Sequence, residues 1–380
     1  MVKDDLVKVY NRQLRRNMDY AYDSARPKRQ IAYVFDINRC IGCQTCTMAC
    51  KSTWTFGKGQ EYMWWNNVES KPFGSYPQHW DVKLLAMMGP QNWEGGVYSG
   101  KTIFEAAPDD EKYLGFRPKD PEWRFPNMYE DTATGHNMKG VDVAEKHGVW
   151  FHYLQRICNH CTYPACVTAC PRKAIYKRDE DGIVLIDQSR CRGYRECVGA
   201  CPYKKSMYKP ESRTSEKCIA CFPRVEKGEM PRCVAACVGK IRLQGYLTTD
   251  QRKADPNNPI DYLVHFEKAA LPLFPQFGTE PNVYYIPPRW VPLEYLGQLF
   301  GPGVEEAVTK RTDPSDKLFA CLRCFGMQKE ILYRFELRDD RVFAYNDNGE
   351  KVIDLSLKNE PFYVRPMVDQ ERNTLRINEP

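Results

Sequence analysis

The apolar runs of this chain are short, and the polar stretches between them are long. QIAYVFD (30–36) is mostly apolar and predicts a strand. In AIYKRDEDGIVLID (174–187) two apolar stretches flank Asp181-Gly182, the pattern of a β-hairpin. KIRLQGYL (240–247) predicts a further strand, and a helical stretch follows Gly303. RVFAYNDNGEKVIDL (341–355) predicts a second hairpin, turning at Asn348-Gly349. Residues 51–157 show poor periodicity, and irregular stretches of that length are uncommon in compact domains unless they serve a purpose. The expected class is α+β.

Cysteines punctuate this pattern at fixed spacings. Four runs occur: Cys40-x2-Cys43-x2-Cys46-x3-Cys50, Cys158-x2-Cys161-x4-Cys166-x3-Cys170-Pro171, Cys191-x5-Cys197-x3-Cys201-Pro202 and Cys218-x2-Cys221-x11-Cys233-x3-Cys237. The bacterial ferredoxin run C-x2-C-x2-C-x3-C-P places three thiolates on one cluster and the fourth on its neighbour. The first run is regular, except that Lys51 replaces the proline. The second has two extra residues before its third Cys, and the fourth is expanded by FPRVEKGEMPR. The third carries Tyr194 where its second Cys belongs.

Two half-motifs make one two-cluster unit, so two nested ferredoxin-like units are expected. The second and third runs form a central unit (151–213). The first and fourth form an outer one (31–50 with 214–247), which brings residues near 40 and 237 together. Around them lie an N-terminal arm (1–30), an aromatic-rich insert (51–150) and a C-terminal extension (248–380).

The cross-ligation rule then assigns ligands residue by residue. Cys40, Cys43, Cys46 and Cys237 make one [4Fe–4S] site. Cys50, Cys218, Cys221 and Cys233 make a second, and Cys158, Cys161, Cys166 and Cys201 a third. Cys170, Cys191 and Cys197 form a three-thiolate set that fits [3Fe–4S]. Tyr194 there offers bulk, and a phenol of pKa about 10 is a poor ligand when neutral. Three-iron clusters tend to be the more oxidising members of a series whose potentials span roughly −700 to +450 mV. All-thiolate zinc is the alternative, but its usual C-x2-C pairs lie about 12 to 20 residues apart.

Composition narrows the classes further. The 380 residues carry a formal net charge of +6 with 27% charged residues, too diffuse for a nucleic-acid binder. Mean hydropathy is −0.61, and no run approaches the roughly 18 to 20 apolar residues of a membrane span. Membrane contact is therefore expected only through partners. Fifteen of the seventeen cysteines fall in the four runs, which argues against a disulfide scaffold in so long a chain. Arg15-Arg16 is followed by no apolar region or small-residue cleavage site, so no export address is expected. No GxGxxG, P-loop, HExxH or nucleophile–base pattern appears, and no catalytic residue is assigned.

The remaining candidates are secondary. His160 sits beside a complete ligand set and is expected to pack or hydrogen-bond. Arg190, Arg192, Arg195, Lys204 and Lys205 are expected to crowd the three-thiolate site, tuning it or meeting an acidic partner. Cys321 and Cys324 lack a second half and are expected to be free thiols. The insert holds seven of the eight tryptophans (Trp54, Trp64, Trp65, Trp80, Trp93, Trp123, Trp150), which points to a subunit-docking surface, with a lid over the clusters as the alternative. The charged arm is expected to lie along a partner subunit.

The order of the four runs resembles the iron–sulfur (β) subunits of dimethyl sulfoxide reductase-type molybdoenzymes. RICNHCTYPACVTACPRKAIYKR, CRGYRECVGACPYKK and LPLFPQFGTEPNVYYIPP resemble the respiratory nitrate reductase and nitrite oxidoreductase branch, over roughly residues 30–290. Tyr194, where nitrate reductase β subunits usually carry Trp, makes it look closer to nitrite oxidoreductase. The resemblance implies an α subunit with a molybdenum bis-pterin cofactor, facing the Cys40 set. It also implies a haem-bearing γ subunit or cytochrome, facing the three-iron site. The complex would be membrane-associated and exported folded with α, or else lie on the cytoplasmic face. The chain would then relay single electrons, foremost in nitrite oxidation to nitrate. The alternatives are a β subunit of a nitrate, selenate or (per)chlorate reductase or of ethylbenzene dehydrogenase and, from another class, a zinc-stabilised scaffold.

Overall fold

In a computed structural model, residues 6–22, 26–72, 80–108, 150–357, 367–369 and 374–376 are described. The N-terminal arm is a hairpin of β1 (Val7–Asn11) and β2 (Arg16–Tyr20). Its turn is closed by the Asn11 side chain, which accepts from the backbone amides of Gln13 and Leu14. Val9, Leu14, Met18 and Tyr20 are buried in the main core of the same chain. The arm that was expected to lie along a partner is thus anchored on the chain's own core. Four apolar side chains in an otherwise charged segment suffice to fold it inward.

β3 (Arg29–Asp36) leads into α1 (Thr45–Trp54), β4 (Asn67–Lys71), α2 (Trp80–Met88) and the two-residue strands β5 (Trp93–Glu94) and β6 (Val97–Tyr98). β7 (His152–Arg156) then pairs antiparallel with β4. Next come α3 (Ala165–Thr168), the hairpin of β8 (Ile175–Lys177) and β9 (Val184–Ile186), and α4 (Glu196–Ala200). A second hairpin of β10 (Ser206–Lys209) and β11 (Thr214–Lys217) precedes the one-turn helices α5 (Phe222–Val225) and α6 (Arg232–Ala235), then β12 (Arg242–Thr248). Beyond lie β13 (Leu271–Pro272), β14 (Val283–Ile286), α7 (Leu293–Phe300), α8 (Val304–Thr312) and α9 (Asp316–Cys324). A three-stranded sheet of β15 (Arg334–Arg338), β16 (Arg341–Tyr345) and β17 (Lys351–Ser356) follows, then the pair β18 (Met367–Asp369) and β19 (Thr374–Arg376).

One sheet divides the molecule. Its order is β12-β3-β14-β13, with β3 antiparallel to β12 and parallel to β14. Side chains alternate between its faces. Ile31, Tyr33, Phe35, Tyr246, Val283 and Tyr285 enter the main core on the cysteine side. Ala32, Val34, Leu243, Leu247, Tyr284 and Ile286 enter a second core with α9, Phe335, Val342 and Ile353. The C-terminal extension thus roofs the far face of the sheet that carries the cysteine loops. Cys321 and Cys324 are free, fully buried thiols within that roof.

The insert turns its tryptophans inward. Trp80 and Trp65 are buried, and Trp54, Trp64, Trp93 and Trp150 are half-buried. Trp123, with most of the insert's second half, lies outside the described residues. Among the described residues of the insert, the exposed large side chains are Phe56, Tyr62, Val82, Met87 and Val97.

Candidate metal centres

Short left-handed turns aim the cysteine loops. In the first run Gly42 (φ +66°) and Gln44 (φ +57°) flank Cys43, and α1 starts immediately after. The third run repeats this backbone. Gly193 (φ +66°) and Arg195 (φ +65°) flank Tyr194, and α4 starts immediately after. Tyr194 therefore stands in the loop position that Cys43 holds in the first run. Both are exposed, Tyr194 to 60%. Glycine is required here, since a Cβ on Gly193 would sit 2.3 Å from the Arg213 carbonyl oxygen.

Five further thiols are carried by short helices. Cys46 and Cys50 lie one turn apart on α1, Cys166 on α3, Cys197 on α4 and Cys233 on α6. Pro164 precedes α3 and Pro231 precedes α6, so the second and fourth runs also share a local plan despite their different loop lengths. α1 packs against α6, and α3 against α4.

These elements enclose four hollows. Cys40, Cys43, Cys46 and Cys237 line the first and Cys50, Cys218, Cys221 and Cys233 the second. Cys158, Cys161, Cys166 and Cys201 line the third, and Cys170, Cys191 and Cys197 the fourth, together with Tyr194. Among the described residues no three His, Cys, Asp or Glu groups close on one point as a single metal ion requires. Three or four cysteines to a hollow is the ligand count of an iron–sulfur cluster.

A 4Fe-4S dicluster domain model matches residues 149–247. The chain is 45% identical over 309 residues to the β subunit of selenate reductase from Thauera selenatis, covering 74% of this chain and 89% of that subunit. It is 44% identical over 312 residues to the β subunit of chlorate reductase from Ideonella dechloratans, with 74% and 89% covered. The respiratory nitrate reductase 1 β chain of Escherichia coli is 33% identical over 355 residues, with 69% of each chain covered. The chain belongs to the iron–sulfur β subunits of dimethyl sulfoxide reductase-type molybdoenzymes. It is an iron–sulfur, electron-transfer subunit. These three relatives are reductase subunits and do not show the expected nitrite oxidoreductase branch.

The surroundings of the sulfurs fit anionic ligation. Trp54 Nε1 donates to Cys221 Sγ (3.2 Å) and Thr45 Oγ1 to Cys43 Sγ (3.4 Å). The amides of Ala174, Ser215, Lys205 and Ala220 donate to the sulfurs of Cys170, Cys191, Cys201 and Cys218. Such donors favour thiolate over thiol. Burial works against them. It pushes the Cys233 thiol up to about 12, with Arg242 opposing, and raises Cys50 through burial and the neighbouring thiolates of Cys218, Cys233 and Cys221. Thiols packed this way need a positive partner to ionise, which bound iron supplies.

The β subunit also buries cations that sequence reasoning passed over. Arg242 donates from Nη2 to Cys46 Sγ (3.0 Å), and Lys217 Nζ reaches Cys158 Sγ (3.6 Å). Lys177 donates to the carbonyls of His160, Cys161 and Gly182, and burial lowers its pKa to about 7. Arg156 pairs with Glu69. The one available signal was the placement of Arg242 and Gln244 in strand register with Tyr246, on the cysteine side.

The expected basic crowd at the three-thiol hollow is corrected in part. Arg192 and Arg195 line it, and Arg190 is exposed nearby. Lys204 and Lys205 are buried elsewhere. Lys205 lines the third hollow and donates to Asn67 and the Trp64 carbonyl, and Lys204 donates to the Gly199 carbonyl. His160 is buried and kept neutral by desolvation, with Lys217 and Lys177 adding to it, and its Nδ1 accepts from the Val184 amide.

Proposed function

We propose that this β subunit relays single electrons between a molybdopterin-bearing catalytic α subunit and a second redox partner. Three [4Fe–4S] clusters and one [3Fe–4S] cluster, held by the ligand sets assigned above, would supply the one-electron centres. The observation that carries this is the sorting of fifteen thiols into four hollows, one set to each. The packing of α1 on α6 and of α3 on α4 supports the nested pairing of the first run with the fourth around the second and third. The match between the Tyr194 and Cys43 loops supports three ligands at the last site.

The two ends of the row differ in surface chemistry. Around exposed Cys43 stand the exposed side chains of Ile41, Met48 and Val238, a face suited to burial under a large subunit. At the other end Arg190, Arg192 and Tyr194 are exposed, a face for a haem-bearing γ subunit or a cytochrome. Among the described residues no helix is long and apolar enough to cross a membrane. Membrane attachment is assigned to those partners.

The relatives favour an α subunit of the selenate, chlorate, perchlorate or nitrate reductase kind. Nitrite oxidation is the second reading, and Tyr194 is what favours it. Purification of the native complex tests the proposal. A molybdenum-containing large subunit, with acid-labile sulfide in the β subunit, is expected. Zinc without sulfide, or a large partner without molybdenum, would overturn it.

A further inference from the structure

Two basic side chains inside the β subunit have no carboxylate paired to them among the described residues, and each stands between residues of two thiol sets. Arg242 is fully buried and projects from the cysteine side of β12. Its Nη2 donates to Cys46 Sγ at 3.0 Å and to Asn66 Oδ1 at 3.2 Å, and after Cys46 the group whose charge acts on it most strongly is the Cys233 thiolate. Nε and Nη1 have no partner, and the guanidinium carbon lies 4.4 Å from the centre of the Phe35 ring. Cys46 belongs to the first set and Cys233 to the second.

Lys217 repeats the arrangement one junction further along. It is 3% exposed and ends β11. Its Nζ lies 3.6 Å from Cys158 Sγ, 2.9 Å from the Cys218 carbonyl oxygen and beside that of Val184. Cys158 belongs to the third set and Cys218 to the second. The junction of the third and fourth sets is different. Cys166, Ile175, Val184, Cys197 and Val198 meet there in an apolar cluster.

A buried cation is unfavourable unless a nearby anion offsets its desolvation. For Arg156 and Lys71 the offset is a carboxylate, Glu69 and Asp81, and for Lys177 and Lys204 it is backbone carbonyl oxygen. At Arg242 and Lys217 thiolate sulfur takes that place. Reduction adds one negative charge to a centre that thiolates already make anionic, and a fixed cation in a low-dielectric interior stabilises that added charge.

We propose that Arg242 and Lys217 are charge bridges, each raising the reduction potential of the two clusters it separates. Arg242 serves the first and second, and Lys217 the second and third. The proposal rests on the cluster reading given above.

Redox titration of the intact holo-complex, followed by EPR, tests it. Arg242→Gln keeps an N–H for the Cys46 sulfur but removes the charge, and Lys217→Met removes the other charge. Each variant should lower two of the three [4Fe–4S] potentials, by at least tenfold in the one-electron equilibrium constant, which is about 59 mV. One of the two shifted signals should be common to both variants, and the three-iron signal should move in neither. Shifts below tenfold, a shift confined to one cluster, or a uniform shift of all four would overturn the proposal. Should a neutralised variant lose clusters, Arg242→Lys and Lys217→Arg decide. Retention of all clusters there supports the charge role, and loss there as well overturns it. A wild-type protein without these signals overturns the cluster reading itself, before any variant is made.

Discussion

Replacing Tyr194 by cysteine tests the three-ligand site most directly. The loops 192–195 and 41–44 share their backbone, with left-handed residues on either side of positions 194 and 43 and a helix starting directly after. A thiol at 194 would therefore stand to Cys191 and Cys197 as Cys43 stands to Cys40 and Cys46. The Tyr194 side chain is 60% exposed, and substitutions at such surface positions usually change stability by no more than about 0.5 kcal/mol. Misfolding is thus a poor explanation for any change seen. The expected gain is one iron per chain, from about fifteen to about sixteen, as a three-thiolate site becomes a four-thiolate one. Iron and sulfide analysis reads the count, and low-temperature EPR of the oxidised protein should show the three-iron signal lost. Tyr194→Ser, which removes bulk without adding a ligand, should keep that signal. A Tyr194→Cys protein with the signal at full strength and an unchanged iron count would refute the ligand argument. A fourth iron in the Ser variant would assign the effect to ring size instead.

Three further outcomes are expected. Gly193→Ala forces an L-residue into left-handed backbone at roughly 1–2 kcal/mol, with its Cβ 2.3 Å from the Arg213 oxygen, so EPR should show the three-iron centre lost and the others kept. Glu69→Gln leaves Arg156 and Lys71 buried with less counter-charge, and urea unfolding should show a loss of about 3–5 kcal/mol. His152 is kept neutral by burial and by Lys71, its pKa lowered from 6.5 to about 3. Between those values the unfolded chain binds a proton that the folded chain refuses, so this contribution is complete above pH 6.5 and is lost as pH falls toward 3. Neither ring nitrogen has a hydrogen-bond partner, so His152→Phe removes the proton sensitivity without breaking a bond. Its urea stability should fall less than that of the wild type between pH 7 and pH 5, by about 2 kcal/mol.

The parts of this protein written in spacing were legible, and the parts written in counter-charge were not. The expected strand at 30–36 is β3, and the Asp181-Gly182 and Asn348-Gly349 turns join β8 to β9 and β16 to β17, because local turn chemistry and apolar runs decide such elements. Family membership followed from cysteine order for the same reason. Arg242, Lys217, Arg156 and Lys177 read as ordinary surface charges in sequence. They are buried because thiolates, carboxylates or carbonyls from distant segments meet them, and apart from the strand register of Arg242 no local period records that. The inward packing of the arm and of the insert's tryptophans was hidden for a related reason. Sparse apolar residues such as Leu14 and Met18 weigh little in a charged segment, yet each finds a buried place once β2 lies against the main core. The inward turn of Trp54 and Trp65 depends equally on a long-range neighbour, the second hollow.

One turn of α1 separates Cys46 from Cys50, and these line different hollows. Four residues of helix rise about 6 Å, a length set by backbone hydrogen bonds and barely extensible. On the proposed ligand sets, two neighbouring stations hang from the same rigid peg, so neither breathing of the chain nor arrival of a partner can pull them apart. Between those two stations the protein cannot throttle its current by opening a gap. What it can vary is the slope between stations and the traffic at its two termini.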